Sequence, residues 1–282
     1  MSPPRVVLFD IGGVVVGSPL VGINAYEAQH GLPHDYLNVA ITARGRQGAF
    51  QRFERSELDL HSFYARFGQE LSEAEAGNEA YRQFCRRRGV DTPQLPRELR
   101  IDGRELFGRM MKESTRIDPL MHNALRRLRA GGKFRLAALT NNFAPPTARA
   151  DGANAPSLEE ELEHLGVLKG ANEVKGLFDD YLESAKIGMR KPEEGIFRYT
   201  LKHLGVGPEE VVFLDDIGIN LKAAQALGIR TIRVFPRSSL PALRSLEKET
   251  GMQLVTDAEA REEEERVARK EASEKGQGKA KL

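Results

Sequence analysis

The sequence predicts an α/β fold in which a doubly wound parallel sheet carries a helical cap inserted after its first strand. Two observations predict the sheet: short apolar runs end at polar residues, and stretches with helical periodicity separate those runs. A third observation predicts a helical insertion at the place of the cap, because residues 19–115 show helical periodicity, many charges and few β-branched runs. Strands that alternate with helices form a parallel sheet covered on both faces.

The first apolar run covers residues 6–9 and stops at Asp10, which Gly12 and Gly13 follow closely. Such a run is typical of a buried parallel strand that leads into a tight turn. In open α/β sheets, ligands bind at the carboxyl ends of the strands. A carboxylate at this position can act as a nucleophile or a metal ligand, or it can only cap a loop.

Further elements follow in the same alternation. Four more strands are predicted at residues 134–139, 181–184, 211–214 and 229–234. The intervening helices are predicted to begin at Asp118-Pro119, at Pro192 and at Asn220. Asp118 is a typical N-cap with proline at the first helical position, and Gly228 is a typical residue for the end of the third helix.

These patterns divide the chain into domains. We expect the core at residues 1–18 and 116–256, the helical cap at residues 19–115, and a charged tail at residues 257–282. The tail has almost no large apolar residues, so we expect a disordered segment or a solvated helix that adds little to stability. Residues 144–172 are rich in Pro, Ala, Gly and Glu and predict a mobile loop with one short helix near residues 157–162.

Composition limits the partners of the protein. The 282 residues carry 42 Lys and Arg against 41 Asp and Glu, for a net charge of +1 with the two signs mixed along the chain. This balance points to neither nucleic acid nor membrane as a partner, and it leaves the oligomeric state open. The single cysteine, Cys85, excludes an intramolecular disulfide and suits a reducing compartment. Because the N-terminus shows no signal-peptide pattern, we expect a cytoplasmic protein.

Polar residues follow three more of the predicted strand ends. Thr140 and Asn141 follow the second strand, Lys191 lies beyond the third, and Asp215 and Asp216 follow the fourth. A parallel sheet brings all of them to the edge where the first strand ends, and carboxylates gathered there repel one another unless a cation lies among them. Mg²⁺ suits oxygen ligands and a substrate phosphate. Lys191 would then balance carboxylate or phosphoryl charge, and Thr140 and Asn141 would donate hydrogen bonds to phosphoryl oxygens.

Together these motifs resemble those of the haloacid dehalogenase superfamily of hydrolases. The resemblance runs over residues 6–234, with the family's four motifs at residues 10–14, 139–141, 191–192 and 213–216. Residues 188–192 and 213–222 are most similar to the subgroup that contains the N-terminal phosphatase domain of soluble epoxide hydrolase. The resemblance implies a Rossmann-like core, and in this subgroup a helical cap stands between the first two motifs, where residues 19–115 lie.

The resemblance also implies a chemistry. Asp10 would be the nucleophile that forms an aspartyl-phosphate, which water then hydrolyses. Mg²⁺ would be held by Asp10, by the backbone carbonyl of Gly12 and by Asp215, with Asp216 close by. Lys191 would pair with the Asp10 carboxylate and with the phosphoryl group. The activity implied is that of a Mg²⁺-dependent phosphatase acting on a small phosphorylated metabolite.

One position departs from the family pattern. Phosphatases of the family usually carry a second aspartate two residues after the nucleophile, as general acid and base, and here that position is Gly12. Such a group contributes ~10²–10⁴-fold in rate. Two alternatives therefore stay open, a catalytically weak domain kept for binding and a metal-independent dehalogenase. The Asp215-Asp216 pair argues against the dehalogenase.

Overall fold

The computed structural model describes residues 3–147, 156–166 and 174–279, and within them a parallel sheet forms the core. Its strands are β1 (Val6–Phe9), β2 (Arg135–Thr140), β3 (Asp180–Glu183), β4 (Val211–Asp215) and β5 (Arg230–Arg233). Neighbouring strands are parallel, in the order β3-β2-β1-β4-β5. The predicted fold class is confirmed, and the strand ends differ from the predicted ones by no more than one residue.

Helices connect the strands and build the insertion between β1 and β2. They are α1 (Pro19–Gln29), α2 (Tyr36–Ala43), α3 (Ala49–Phe53), α4 (Leu60–Ser72), α5 (Ala74–Arg88), α6 (Gly103–Glu113), α7 (Pro119–Gly131), α8 (Leu158–His164), α9 (Ser184–Ile187), α10 (Glu194–Leu204), α11 (Gly218–Ala226), α12 (Leu240–Thr250) and α13 (Asp257–Lys279). Helix α10 begins at Glu194 rather than at Pro192, because Glu193 N bonds Arg190 O at 2.8 Å and closes a turn there. Among the described helices, none is both long enough and apolar enough to cross a membrane.

The side chains of β1 point alternately into two apolar layers. Val7 and Phe9 pack in a cluster with residues of α7 and α12 on one face of the sheet. Val6 and Leu8 pack in a second cluster with residues of α10 and α11 on the other face. A strand that is apolar on both faces is what a parallel sheet between two helical layers requires. The strand that leads to Asp10 is therefore held by packing on both sides.

Helices α1 to α6 form the cap, and the apolar cluster between them also includes Leu165 from the segment after β2. Aromatic rings fill its centre, where the Phe63 centroid lies 4.1 Å from that of Phe53 and 4.9 Å from that of Phe107. Cys85 is buried in the same cluster, which fits a packed thiol. The domain boundaries at residues 19 and 115 stay a prediction, as does the assignment of these helices to a separate unit.

The two connections between the core and the inserted helices lie side by side. Gly17 N donates to Arg116 O at 2.7 Å, and Asp118 N donates to Val15 O at 2.9 Å. Asp118 then caps α7, because its carboxylate accepts a hydrogen bond from Met121 N at 2.8 Å. The chain thus enters and leaves the cap at one point beside the sheet.

The segment after β2 also packs against the cap. Helix α8 begins with a capping box at Ser157, in the region where the sequence predicts a short helix. Its Glu161 is buried and accepts a hydrogen bond from Tyr64 Oη at 2.6 Å. The rest of the predicted mobile loop falls mainly on residues 148–155 and 167–173, which lie outside the described residues.

The charged C-terminal segment is helix α13, and its first turn docks on the core. Ala260 is buried in the cluster beside the sheet, and Glu259 lies 2.8 Å from Arg127 and 2.9 Å from Asn123. Hydrogen bonds, chiefly from Arg127, lower the pKa of Glu259 to about 2. The segment thus takes the helical one of its two expected forms, with a first turn that packs on the core instead of being solvated throughout.

Candidate active site

Asp10 lies where β1 ends, at the carboxyl edge of the sheet. Strand β1 pairs with both β2 and β4, and the pairing of Phe9 with Leu214 brings Asp10 beside Asp215. Asp10 N donates to Leu214 O at 2.9 Å, so the ladder continues through this residue. The Asp10 carboxylate accepts a hydrogen bond from Ile11 N at 2.6 Å. The backbone of the candidate nucleophile is therefore fixed by the centre of the sheet.

Lys191 brings a positive charge to the carboxyl edge of the sheet. Its side chain is buried, and its Nζ lies 2.8 Å from Asp10 Oδ1 and 2.8 Å from Asp215 Oδ2. Burial alone would lower the pKa of Lys191, but the two carboxylates outweigh it and raise that pKa. The lysine therefore stays charged and holds the two carboxylates on either side of it.

Asn141 fixes the loop that carries Lys191. Asn141 Nδ2 donates to Lys191 O at 3.0 Å, and Lys191 N donates to Asn141 Oδ1 at 2.8 Å. Thr140, the last residue of β2, is buried next to it, with its hydroxyl 3.4 Å from Asn141 O. In this structure the Asn141 amide thus positions Lys191, a task that the sequence analysis did not assign to it.

Two acidic residues lead from β4 into α11. Asp215 is fully buried, with Ile217 N donating to its Oδ1 at 2.7 Å and Asn220 Nδ2 lying 3.1 Å from both of its oxygens. Asp216 Oδ2 accepts a hydrogen bond from Ser18 Oγ at 3.4 Å. Asp216 Oδ1 is buried with no partner among the described residues. A buried carboxylate oxygen without a partner costs free energy unless a ligand meets it.

The three carboxylates form a cluster that can hold a metal ion. One oxygen from each of Asp10, Asp215 and Asp216 lies within 4.8 Å of the other two. Burial raises the pKa of Asp10 well above its ordinary value, and although Lys191 opposes the shift, the neighbouring carboxylates add to it. Burial and then Asp215 raise the pKa of Asp216 to about 7. Because one lysine cannot balance three buried carboxylates, a hard cation with oxygen ligands such as Mg²⁺ fits this set of donors.

Gly12 and Gly13 differ in what they permit. Gly13 has a φ of +79°, and a Cβ there would lie 2.2 Å from Asp216 Oδ2. Only glycine therefore lets the chain turn against that carboxylate. A Cβ on Gly12 would meet Pro19 Cδ at 3.4 Å, and Gly12 is not in the left-handed region. Gly12 could thus carry a side chain, although Gly13 could not.

A cavity of about 240 Å³ opens between the cap and this edge of the sheet. Three of its lining residues belong to the predicted site, namely Gly12, Thr140 and Asn141. Much of the remaining wall is apolar and comes from the cap and from the segment after β2: Phe50, Phe53, Phe107, Met111, Phe143 and Leu165. The Phe143 centroid lies 5.2 Å from those of Phe53 and Phe107, so the two segments form one wall.

The structure places every site residue named from the sequence at one edge of the sheet: Asp10, Gly12, Thr140, Asn141, Lys191, Asp215 and Asp216. Their chemical roles stay predictions. Sequence reasoning missed Asn220 and Ser18 as partners of the acidic residues. Asn220 had a usable signal, since it stands five residues after Asp215 in the first turn of a helix. Ser18 had none, because its contact with Asp216 spans 198 residues.

Comparison with known proteins bears on the family. A sequence model of the family described as haloacid dehalogenase-like hydrolase matches residues 4–228. The chain is 31% identical over 253 residues to bifunctional epoxide hydrolase 2 of Sus scrofa, across 89% of this chain and 40% of that protein. It is 30% identical over 244 residues to acyl-CoA dehydrogenase family member 10 of Mus musculus, across 86% of this chain and 19% of that protein. The chain thus spans less than half the length of these curated relatives.

One solved structure completes the comparison. A HAD family enzyme of Bacteroides thetaiotaomicron aligns with a TM-score of 0.49 and 17% identity, across 86% of this chain and 99% of that chain. The assignment itself rests on the family match and on the curated relatives, which align with most of the sequence. They confirm the resemblance that the four motifs show. The chain belongs to the haloacid dehalogenase-like hydrolases.

Proposed function

We propose that this hydrolase is a Mg²⁺-dependent phosphatase that cleaves a small phosphate monoester through an aspartyl-phosphate on Asp10. The observation that carries the proposal is the buried arrangement of Asp10, Lys191 and Asp215 with Asp216 beside them. This arrangement offers a carboxylate nucleophile, a permanent cation and ligands for a second cation. Positive charge at a buried site stabilises a phosphoryl group during its transfer.

Each side chain of the site has a separate role in the proposed phosphoryl transfer. The Asp10 carboxylate attacks phosphorus while the bond from phosphorus to the leaving oxygen breaks. Lys191 holds that carboxylate in place and balances charge on the phosphoryl oxygens. Asn141 keeps the Lys191 loop in position through its two hydrogen bonds. Thr140, at the end of β2, offers a hydroxyl donor to the phosphoryl group.

Mg²⁺ is the cofactor that the donor set fits. Asp10, Asp215 and Asp216 would hold it together with the backbone carbonyl of Gly12. When bound, it supplies positive charge that stabilises the phosphoryl oxygens. Asn220 and the Ile217 N–H support this task by fixing the orientation of the Asp215 carboxylate.

The cavity supports a substrate with an apolar body. Its wall beyond the site is mainly aromatic and aliphatic, and its volume of about 240 Å³ suits a small group. Such a wall gives few partners to the hydroxyl groups of a sugar, which would lose their hydrogen bonds to water on entry. We therefore propose a phosphate ester whose alcohol carries an apolar group of modest size.

One experiment separates this function from its two alternatives. The purified protein is incubated with a panel of phosphate esters and 2-haloacids, with Mg²⁺ or with a chelator. We expect release of inorganic phosphate that requires Mg²⁺. Halide release that persists in the chelator would show a metal-independent dehalogenase. Such an enzyme would hold no cation to pair with the buried Asp216 Oδ1, which lacks a partner among the described residues. Binding of esters without turnover would show a domain kept for interaction.

A further inference from the structure

The cap brings one carboxyl group to the cavity. Glu54 follows α3, is 7% exposed, and lines the cavity together with Gly12 and Asn141. Among the described residues of the lining, Glu54 carries the only carboxyl group, and Tyr181 is the only other side chain that titrates. Burial raises the pKa of the Tyr181 phenol further above its ordinary value, so this phenol cannot exchange protons near neutral pH.

Contacts between cap and core hold Glu54 against the core segment that carries Lys191. Glu54 Oε2 lies 2.5 Å from the Nε of Arg190, which immediately precedes Lys191 in the chain. The next two residues of the cap contact the same core segment, through Arg55 Nη1 with Glu193 Oε1 at 3.4 Å and Ser56 Oγ with Ala185 O at 2.8 Å. Three consecutive cap residues thus fix the position of this carboxyl group relative to the sheet edge.

Burial and positive neighbours act on Glu54 in opposite directions. Burial has the largest effect and raises its pKa, whereas Arg190, Lys191 and Arg55 draw it down, and the net shift is upward. An exposed glutamate is almost wholly ionised at neutral pH. Burial thus favours the protonated form of the Glu54 carboxyl group, whereas its positive neighbours favour the carboxylate, and a group that serves in turn as acid and base must take both forms.

Extending the phosphatase function above, on which it rests, we propose that Glu54 is the general acid and base that position 12 lacks. In the first half of the reaction, an Asp10 oxygen bonds to phosphorus, the ester P–O bond breaks, and the Glu54 proton passes to the departing oxygen to give the alcohol. In the second half, the Glu54 carboxylate takes a proton from water as the water oxygen bonds to phosphorus. The bond between phosphorus and Asp10 breaks, so inorganic phosphate, ionised Asp10 and protonated Glu54 result.

The test is Glu54→Gln, which keeps the shape of the side chain and an oxygen for Arg190 but cannot transfer a proton. The matched control is Glu79→Gln, because Glu79 lies on cap helix α5, pairs with Arg82 and Arg86, and does not line the cavity. With Mg²⁺ and benzyl phosphate, whose alcohol must be protonated, we expect kcat/KM of Glu54→Gln to fall about 10²–10⁴-fold. The control should stay close to the wild-type value.

A second ester separates proton transfer from mere positioning. The leaving group of para-nitrophenyl phosphate departs without a proton, so we expect its kcat/KM to fall far less in Glu54→Gln. Its time course should show a burst of nitrophenolate and then slow turnover, because the aspartyl-phosphate lacks its base. Equal losses of kcat/KM with the two esters would show a positioning role and overturn the assignment.

Rescue provides a further criterion. Adding Gly12→Asp to Glu54→Gln places a carboxylate two residues after Asp10, at a position where a Cβ would lie 3.4 Å from Pro19 Cδ, and should restore the rate on benzyl phosphate by about tenfold or more. The absence of rescue, or unchanged kinetics in Glu54→Gln alone, would overturn the role of Glu54 while leaving an active wild-type phosphatase. A wild-type protein that hydrolyses neither ester would instead overturn the phosphatase function, and this role with it.

Discussion

At the scale of single residues, charge balance governs how the site is built. Lys191 lies between Asp10 and Asp215, and Asp216 adds a third buried carboxylate. Removing one partner of a buried ion pair typically costs about 3–5 kcal/mol, because an uncompensated charge stays behind. Here the carboxylates outnumber the lysine, so neutralising one of them leaves Lys191 still paired. The site therefore tolerates loss of a carboxylate charge better than loss of the lysine.

Asp10→Asn is expected to abolish phosphatase turnover while the fold survives. The pKa of Asp10 is raised in the folded protein, chiefly by burial, so the wild type loses stability as pH rises through that folded value. Asparagine cannot ionise, and Asp215 still pairs with Lys191. In chelator above neutral pH, the variant should therefore melt at or above the wild-type temperature in calorimetry. A variant that releases phosphate at the wild-type rate would exclude Asp10 as the nucleophile.

The two glycines after Asp10 give a paired prediction. Gly13→Ala forces a left-handed conformation on a residue with a side chain and pushes against Asp216, so it should cost about 1–3 kcal/mol or more in the free energy of unfolding. Gly12→Ala should change it by less than about 0.5 kcal/mol. Urea denaturation of both variants compares them directly. Equal losses would contradict the assignment of the strained turn to Gly13.

At the scale of elements, residues close in sequence determine where most strands and helices begin and end. Residues far away in sequence determine how these elements pack together. Apolar runs locate the strands, and Asp118 with Pro119 locates the start of α7, because both signals act within a few residues. The start of α10 depends on the Arg190 to Glu193 turn, which has no clear local signal. Docking of α13 depends on Arg127, far away in sequence, and the composition of the segment as a whole could not reveal it.

Docking of α13 predicts an effect of truncation. Deletion of residues 257–282 should lower the melting temperature by several degrees, since it removes buried Ala260 and the partner of Arg127. Deletion of residues 267–282 keeps both contacts and should change the melting temperature little.

Glu259→Gln should also lower the melting temperature at neutral pH. Because the pKa of Glu259 is depressed to about 2, this deficit should shrink as pH falls from about 4.5 toward 2. Equal melting temperatures for the two truncations would contradict the docking.

At the scale of the whole molecule, the parallel sheet brings the candidate site residues together at one edge, and the cap supplies much of the cavity wall beside them. The residues at the sheet edge could be predicted because parallel strands bring their carboxyl ends together whatever their separation in sequence. Glu54 and Phe143 could not, since no register relates the cap or the segment after β2 to the sheet. Their places depend on packing between segments, such as the ion pair of Glu54 with Arg190. The sequence thus indicates the candidate nucleophile and the candidate metal ligands but not the wall of the cavity.

The apolar wall predicts an effect on substrate binding. Phe143→Ala removes a ring from the cavity, so KM for benzyl phosphate should rise about tenfold or more. Inhibition by inorganic phosphate should stay unchanged, because phosphate lacks the apolar group. Phe84→Ala is the control, since Phe84 packs against Tyr81 in the cap and does not line the cavity. A similar rise in the inhibition constant of phosphate would show that Phe143 supports the site itself.

The central claim is that phosphoryl transfer passes through Asp10, and the most direct measurement is the location of the covalent phosphate. Wild-type protein is mixed with Mg²⁺ and para-nitrophenyl phosphate, quenched in acid within milliseconds, digested, and mapped by mass spectrometry. The account predicts a phosphate on the peptide that contains Asp10, and its absence in chelator and in Asp10→Asn. Continued ester hydrolysis with no phosphate on Asp10 at any time, or with the phosphate on another residue, would contradict it.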